Sequence, residues 1–139
     1  MRQYQTVLAL ETKADGFFDI THEINRCLWE TQIRTGLLTL FVQHTSASLM
    51  IQENADPAVL NDLQNYFERT VPKDNSLYTH TYEGIDDMPA HIRTALTNVS
   101  LTIPVMNGRM ALGSWQAVYL CEHRSQPHVR HIVFHLIGE

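Results

Sequence analysis

Asn107-Gly108, set between two apolar runs, constrains this chain more than any other pair of residues. Both residue types tolerate the positive φ angles of a two-residue hairpin turn, so the strands expected over 99–106 and 109–122 must lie antiparallel and adjacent. A parallel sheet needs a crossover of a dozen or more residues between neighbours, which this turn forbids. The remaining segments agree with an α+β order. Residues 4–11 (YQTVLALE) read as a strand. Asp19 or Thr21 then caps a helix to about Thr31, with Ile24, Cys27 and Leu28 on one face. Gly36 precedes one long β-type run, LLTLFVQHTSASLMI. Asp56-Pro57 opens a second helix, with Leu60, Leu63 and Phe67 at helical spacing until Val71-Pro72. LYTHTYEG reads as a short extended piece, Asp86-Asp87-Met88-Pro89 caps a third helix to about Thr97, and HVRHIVFHLI is the last strand.

No linker, repeat or low-complexity stretch divides the 139 residues, so one domain over 1–139 is expected, long enough to build a core without staples. Apolar residues make up 44% and charged residues 18%, the balance of a folded globule rather than a disordered chain. A net charge of −5 with ten Lys and Arg argues against a nucleic-acid partner. No apolar run approaches a membrane span and MRQYQTVLALET lacks a signal-peptide pattern. Cys27 and Cys121 form no zinc CxxC pair and no disulfide framework; a reducing, cytoplasmic setting is expected, with a single bridge still open. Val118, Tyr119 and Leu120 in succession make both faces of the closing strands apolar. Three short helices cover only one such face, so a second subunit is expected on the other.

Eight histidines in this length invite a site, because neutral imidazole is the commonest metal ligand. His44 ends an apolar strand face beside Thr45, Ser46 and Ser48, which suits a pocket floor and equally a core histidine satisfied by a hydroxyl. His80 sits in YTHTYEG and His91 on the third helix; Asp86 and Asp87, taken singly, read as helix caps. His131 and His135 have the spacing of half a helical zinc motif, but on a strand they stand roughly 13 Å apart and read as structural or interface residues. Arg109 reads as a hairpin residue, Trp115 as a core or stacking ring, and Glu122-His123-Arg124 as a surface charge cluster.

In combination, HTSASL (44–49), ENADP (53–57), H-x-x-E-G (80–84), DDMPAHI (86–92), GR (108–109), and GSWQ with EHR (113–124) resemble the YjbQ family, the secondary thiamine-phosphate synthases. That resemblance implies an α+β antiparallel sandwich with about three helices, assembled as a homotrimer; the cytoplasmic setting and the lack of a membrane partner are expected from the composition alone. It implies a metal, zinc with magnesium as the other option, on His44, His80 and His91, with Glu53 and Asp56 orienting the rings. The implied reaction joins hydroxymethylpyrimidine diphosphate to thiazole phosphate, giving thiamine phosphate and pyrophosphate. His44, His91 and Arg109 would then be catalytic. Ser46, Ser48, Glu53, Asp86, Asp87, Arg109, Trp115 and Gln116 would contact the phosphorylated heterocycle. The alternatives are a zinc-dependent hydrolase of a phosphorylated small molecule and a non-catalytic trimer binding a small anionic metabolite.

Overall fold

In a computed structural model describing residues Met1–Glu139, the chain runs β1 (Arg2–Thr12), β2 (Gly16–Asp19), α1 (Thr21–Thr31), β3 (Gly36–Val42), β4 (Ala47–Glu53), α2 (Pro57–Thr70), α3 (Asp87–Leu96), β5 (Ser100–Met106), β6 (Arg109–Met110), β7 (Gln116–Glu122) and β8 (His128–Gly138). The strands form two antiparallel sheets, ordered β1-β8-β3-β5-β6 and β2-β7-β4. Their inner faces meet, as strand alternation demands. Leu38, Leu40, Val42, Ile103, Val105, Ile132, Phe134 and Leu136 of the large sheet pack with Leu49, Val118 and Leu120 of the small one, and Ile24 and Leu28 of α1 join the same core. Each fully buried leucine or phenylalanine there contributes on the order of 2 kcal/mol.

α2 begins where expected. Pro57 occupies its first turn and the Asp56 carboxylate accepts the Ala58 N–H at 2.9 Å. Leu60 and Leu63 then cover the outer face of the small sheet against Met50, Ala117, Tyr119 and Cys121. The outer face of the large sheet has no such cover: Val7, Leu37, Phe41, Val129 and Ile137 are exposed on it. The hairpin turn is as the sequence requires, with φ of 54° at Asn107 and 77° at Gly108.

Four expectations need correction. The run after Gly36 is two strands in different sheets, broken at 43–46. There the backbone keeps single bonds, from Gln43 N–H to the His131 carbonyl and from His123 N–H to the Ser46 carbonyl, and side chains supply the rest: Arg130 donates to the Ser46 carbonyl and His91 to the Thr45 carbonyl. LYTHTYEG is not extended; a 3-10 turn over Asn75–Leu77, nucleated by Asp74, leads into a loop. The segment 109–122 is interrupted after Met110, and Gln116 closes the gap by accepting the Gly113 N–H. The short β2 was missed, since Gly16–Asp19 is too brief to show a period and exists only by pairing with β7.

Candidate metal centre

Asp87 and His91 lie one helical turn apart at the start of α3, and so share a face. The loop before α3 brings His80 to the same face. Its Nε2 stands 2.7 Å from Asp87 Oδ2, and His91 Nε2 stands 3.2 Å from that oxygen. The two imidazoles meet edge to face at 5.4 Å. His91 Nδ1 donates to the Thr45 carbonyl at 3.1 Å, which can only accept, so Nε2 is the ring atom turned toward Asp87 and the one a metal would take. One ligand atom from each of His80, Asp87 and His91 lies within 4.8 Å of the others. Ligands of a tetrahedral zinc are roughly 3.3 Å apart, so small side-chain shifts suffice to close this set on an ion.

Asp87 is nearly sealed, with a side chain only 3% exposed, and it is held rather than free. Its Oδ1 accepts from Arg124 Nη1 at 2.6 Å, which turns Oδ2 toward the histidines. The same guanidinium reaches Asp86 Oδ2 at 3.3 Å and the Glu83 carbonyl at 2.8 Å. Ser125 donates to Asp86 from its backbone and its hydroxyl. Neither aspartate therefore acts as a simple cap: the Asp86 side chain makes no capping bond, and its carboxylate ties α3 to the loop after β7. Burial alone would raise both carboxyls. Asp86 is nevertheless held low by Ser125 and Arg124, and Asp87 by the bond to His80 and the Arg124 guanidinium. Gly84 lets the loop turn around this brace; at its φ of +110° a Cβ would lie 3.1 Å from Asp86 Oδ1.

His44 stands apart from that trio. Its Nε2 accepts the His131 backbone N–H at 2.8 Å, and its ring stacks on His131 at 5.7 Å. Desolvation, then Arg130, pushes its pKa down. Its ring also lines a cavity of about 410 Å³ shared with Thr45, His91, Thr94, Ala95, Thr97 and Val99. His131 and His135 both lie on β8, as the strand reading expects, and point to the outer face of the large sheet.

The other site residues separate. Ser46 accepts from Arg130, and Ser48 is sealed in the core. Glu53, Trp115 and Gln116 sit at the opposite end of β4 and β7 from His44, about 20 Å along a seven-residue strand. Trp115 is 65% exposed there. Asp56 caps α2 rather than touching any imidazole of the trio. Arg109 pairs with Met106 at the far end of β5 from Ser100.

Two polar groups read as surface are buried. Glu122, 2% exposed, binds Arg130 through both its oxygens and accepts the Thr12 hydroxyl. His123, 3% exposed, takes the Ser48 hydroxyl at 2.8 Å on Nε2. Burial, then the nearby Arg93, pushes the His123 pKa down to about 4. The sequence pattern alone did not mark Asp87 as a candidate ligand or Arg124 as its support. The Asp87–His91 spacing of four on a helix was the signal available for the first.

Two antiparallel sheets with three helices make this an α+β fold, and comparison with known proteins gives its family. The chain belongs to the UPF0047 protein YjbQ-like family, whose model matches residues 6–139. It is 50% identical over 138 residues to a UPF0047 protein of Synechocystis, covering 99% of this chain and 94% of that one. It is 47% identical over 137 residues to the UPF0047 protein YjbQ of Escherichia coli O157:H7, covering 98% and 99%. Among solved structures, a conserved hypothetical protein of Thermus thermophilus superposes with a TM-score of 0.81 at 36% identity, covering 92% of this chain and 97% of that one. A YbjQ-like protein of Sulfolobus solfataricus superposes with a TM-score of 0.85 at 19% identity over 99% and 100% of the two chains, which supports the fold alone.

Proposed function

We propose that this protein is a zinc-dependent thiamine-phosphate synthase whose metal ligands are His80, Asp87 and His91. The observation that carries the reading is the braced Asp87, a buried carboxylate with one oxygen fixed by Arg124 and the other facing two imidazoles. Two nitrogens and one oxygen suit zinc, with a fourth position left for substrate; magnesium prefers an all-oxygen shell. A bound cation would neutralise charge developing on the departing diphosphate. In the reaction, the bond from the pyrimidine methylene carbon to the diphosphate oxygen breaks, and the electron pair leaves with pyrophosphate. The thiazole nitrogen supplies the pair for the new carbon–nitrogen bond. The chain's own groups hold the site still for this: Thr45 orients His91, and Arg124 orients Asp87.

A hydrolase is the second reading, favoured by the donor set itself, because two histidines and one carboxylate recur in catalytic zinc sites that cleave with water. The assay is pyrophosphate release by the zinc-loaded protein from hydroxymethylpyrimidine diphosphate. Release that requires thiazole phosphate supports the synthase. Release without it supports the hydrolase, and no turnover with tight binding leaves a metabolite-binding protein. The apolar outer face of the large sheet supports a homotrimer, and the two free cysteines agree with a cytoplasmic setting. Light scattering that returns a mass of 16.0 kDa would contradict the trimer.

A further inference from the structure

We infer that the cavity between the β3–β4 link and α3 is the subsite for a flat, uncharged nitrogen heterocycle. The inference rests on the reading above for what the neighbouring metal holds, but on separate residues for the ring. At about 410 Å³ the cavity is within the range of small-ligand sites. His91 belongs both to its wall and to the metal trio, so a molecule filling it reaches the metal with its other end. No lysine or arginine lines it, which argues against a phosphate there. The wall is instead methyl and methine surface from Ala95, Val99 and the threonines, with an imidazole of His44 and one of His91.

Two polar groups in that wall lack partners. His44 Nε2 accepts a backbone N–H, so the ring is neutral with its proton on Nδ1, and Nδ1 makes no bond within the chain. Thr94 is 7% exposed, and its hydroxyl is buried without a hydrogen-bond partner. An orphaned buried hydroxyl costs about 1–3 kcal/mol, so such groups are found where something else completes them. A ring with one or two bare nitrogens matches this pair of donors in an otherwise apolar slot. A charged group does not.

The test uses hydroxymethylpyrimidine as the free alcohol, which has the ring but no phosphate, so its binding does not depend on the metal. Methyl NMR of the whole protein should show shifts at Ala95 and Val99 on titration. Ala95→Phe, at an exposed helix position that leaves the core untouched, should abolish those shifts while zinc content stays unchanged. Thr94→Val should weaken binding about 5- to 10-fold, as expected for one lost hydrogen bond. Pyrophosphate binding to the zinc-loaded protein, which needs no ring subsite, should be equal in wild type and Ala95→Phe. Absent shifts in the wild type, or shifts undiminished in Ala95→Phe, would overturn the subsite even if pyrophosphate binds. Loss of pyrophosphate binding in the wild type would overturn the metal reading while leaving the ring titration to stand or fall alone.

Discussion

Replacing His123 with glutamine removes the one buried imidazole that must be neutral for the fold to stand. In the native chain its pKa is pushed down to about 4 by burial among Phe67, Ser48 and the positive Arg93, against 6.5 for an ordinary histidine. The unfolded chain therefore binds a proton between those values and the folded chain does not. Stability from this group is complete above about pH 6.5 and is lost as pH falls toward 4. Linkage sets the loss at about 2 kcal/mol by pH 5 and about 3 kcal/mol at the acid limit. With a urea slope of roughly 2 kcal/mol per molar, the wild-type midpoint at pH 5 should fall by about 1 M relative to pH 8. His123→Gln keeps an acceptor for Ser48 but cannot titrate, so its midpoint should move far less, whatever its stability at pH 8. Circular dichroism of urea unfolding at both pH values, at one protein concentration, reads the difference directly. Equal acid shifts in the two proteins would mean that His123 is not the group whose protonation unfolds the chain.

Glu122→Gln should cost about 3–5 kcal/mol and lower Tm by roughly 10 °C or more, because Arg130 is left buried without its counter-charge, whereas Glu122→Leu with Arg130→Met should recover most of the loss by calorimetry. Gly138→Ala should lower Tm by several degrees without changing metal content, since its Cβ would fall 2.0 Å from the Thr35 carbonyl and force the β3 and β8 ends apart. Arg124→Gln should weaken zinc about 10- to 100-fold in competition with a chromophoric chelator, because Asp87 loses the bond that turns it toward the histidines.

The elements most legible in the sequence are those whose signal is local. The type of turn at Asn107-Gly108, the Asp56-Pro57 helix start and the apolar alternation of β8 each need only a few adjacent residues. What escaped depends on pairing across the chain. The break between β3 and β4 shows no Gly or Pro, because Arg130 and His91 stabilise it from other elements. Glu122 and His123 look like surface residues until Thr12, Arg130 and Ser48 close over them. The site divides the same way. His80 and His91 come together in space, and the third candidate ligand beside them is Asp87 rather than His44. His44 is occupied by a neighbouring strand's N–H, which no spacing rule reveals.

Zinc content by elemental analysis across four alanine variants decides whether His80, Asp87 and His91 hold a metal, with circular dichroism as the folding control. The wild type should carry one zinc per chain, and His80→Ala, Asp87→Ala and His91→Ala should each lose it, because each removes one of the three proposed ligands. His44→Ala should stay loaded, since its Nε2 is engaged with the His131 N–H. Full occupancy in the Asp87 and His91 variants, or loss confined to His44→Ala, would contradict it.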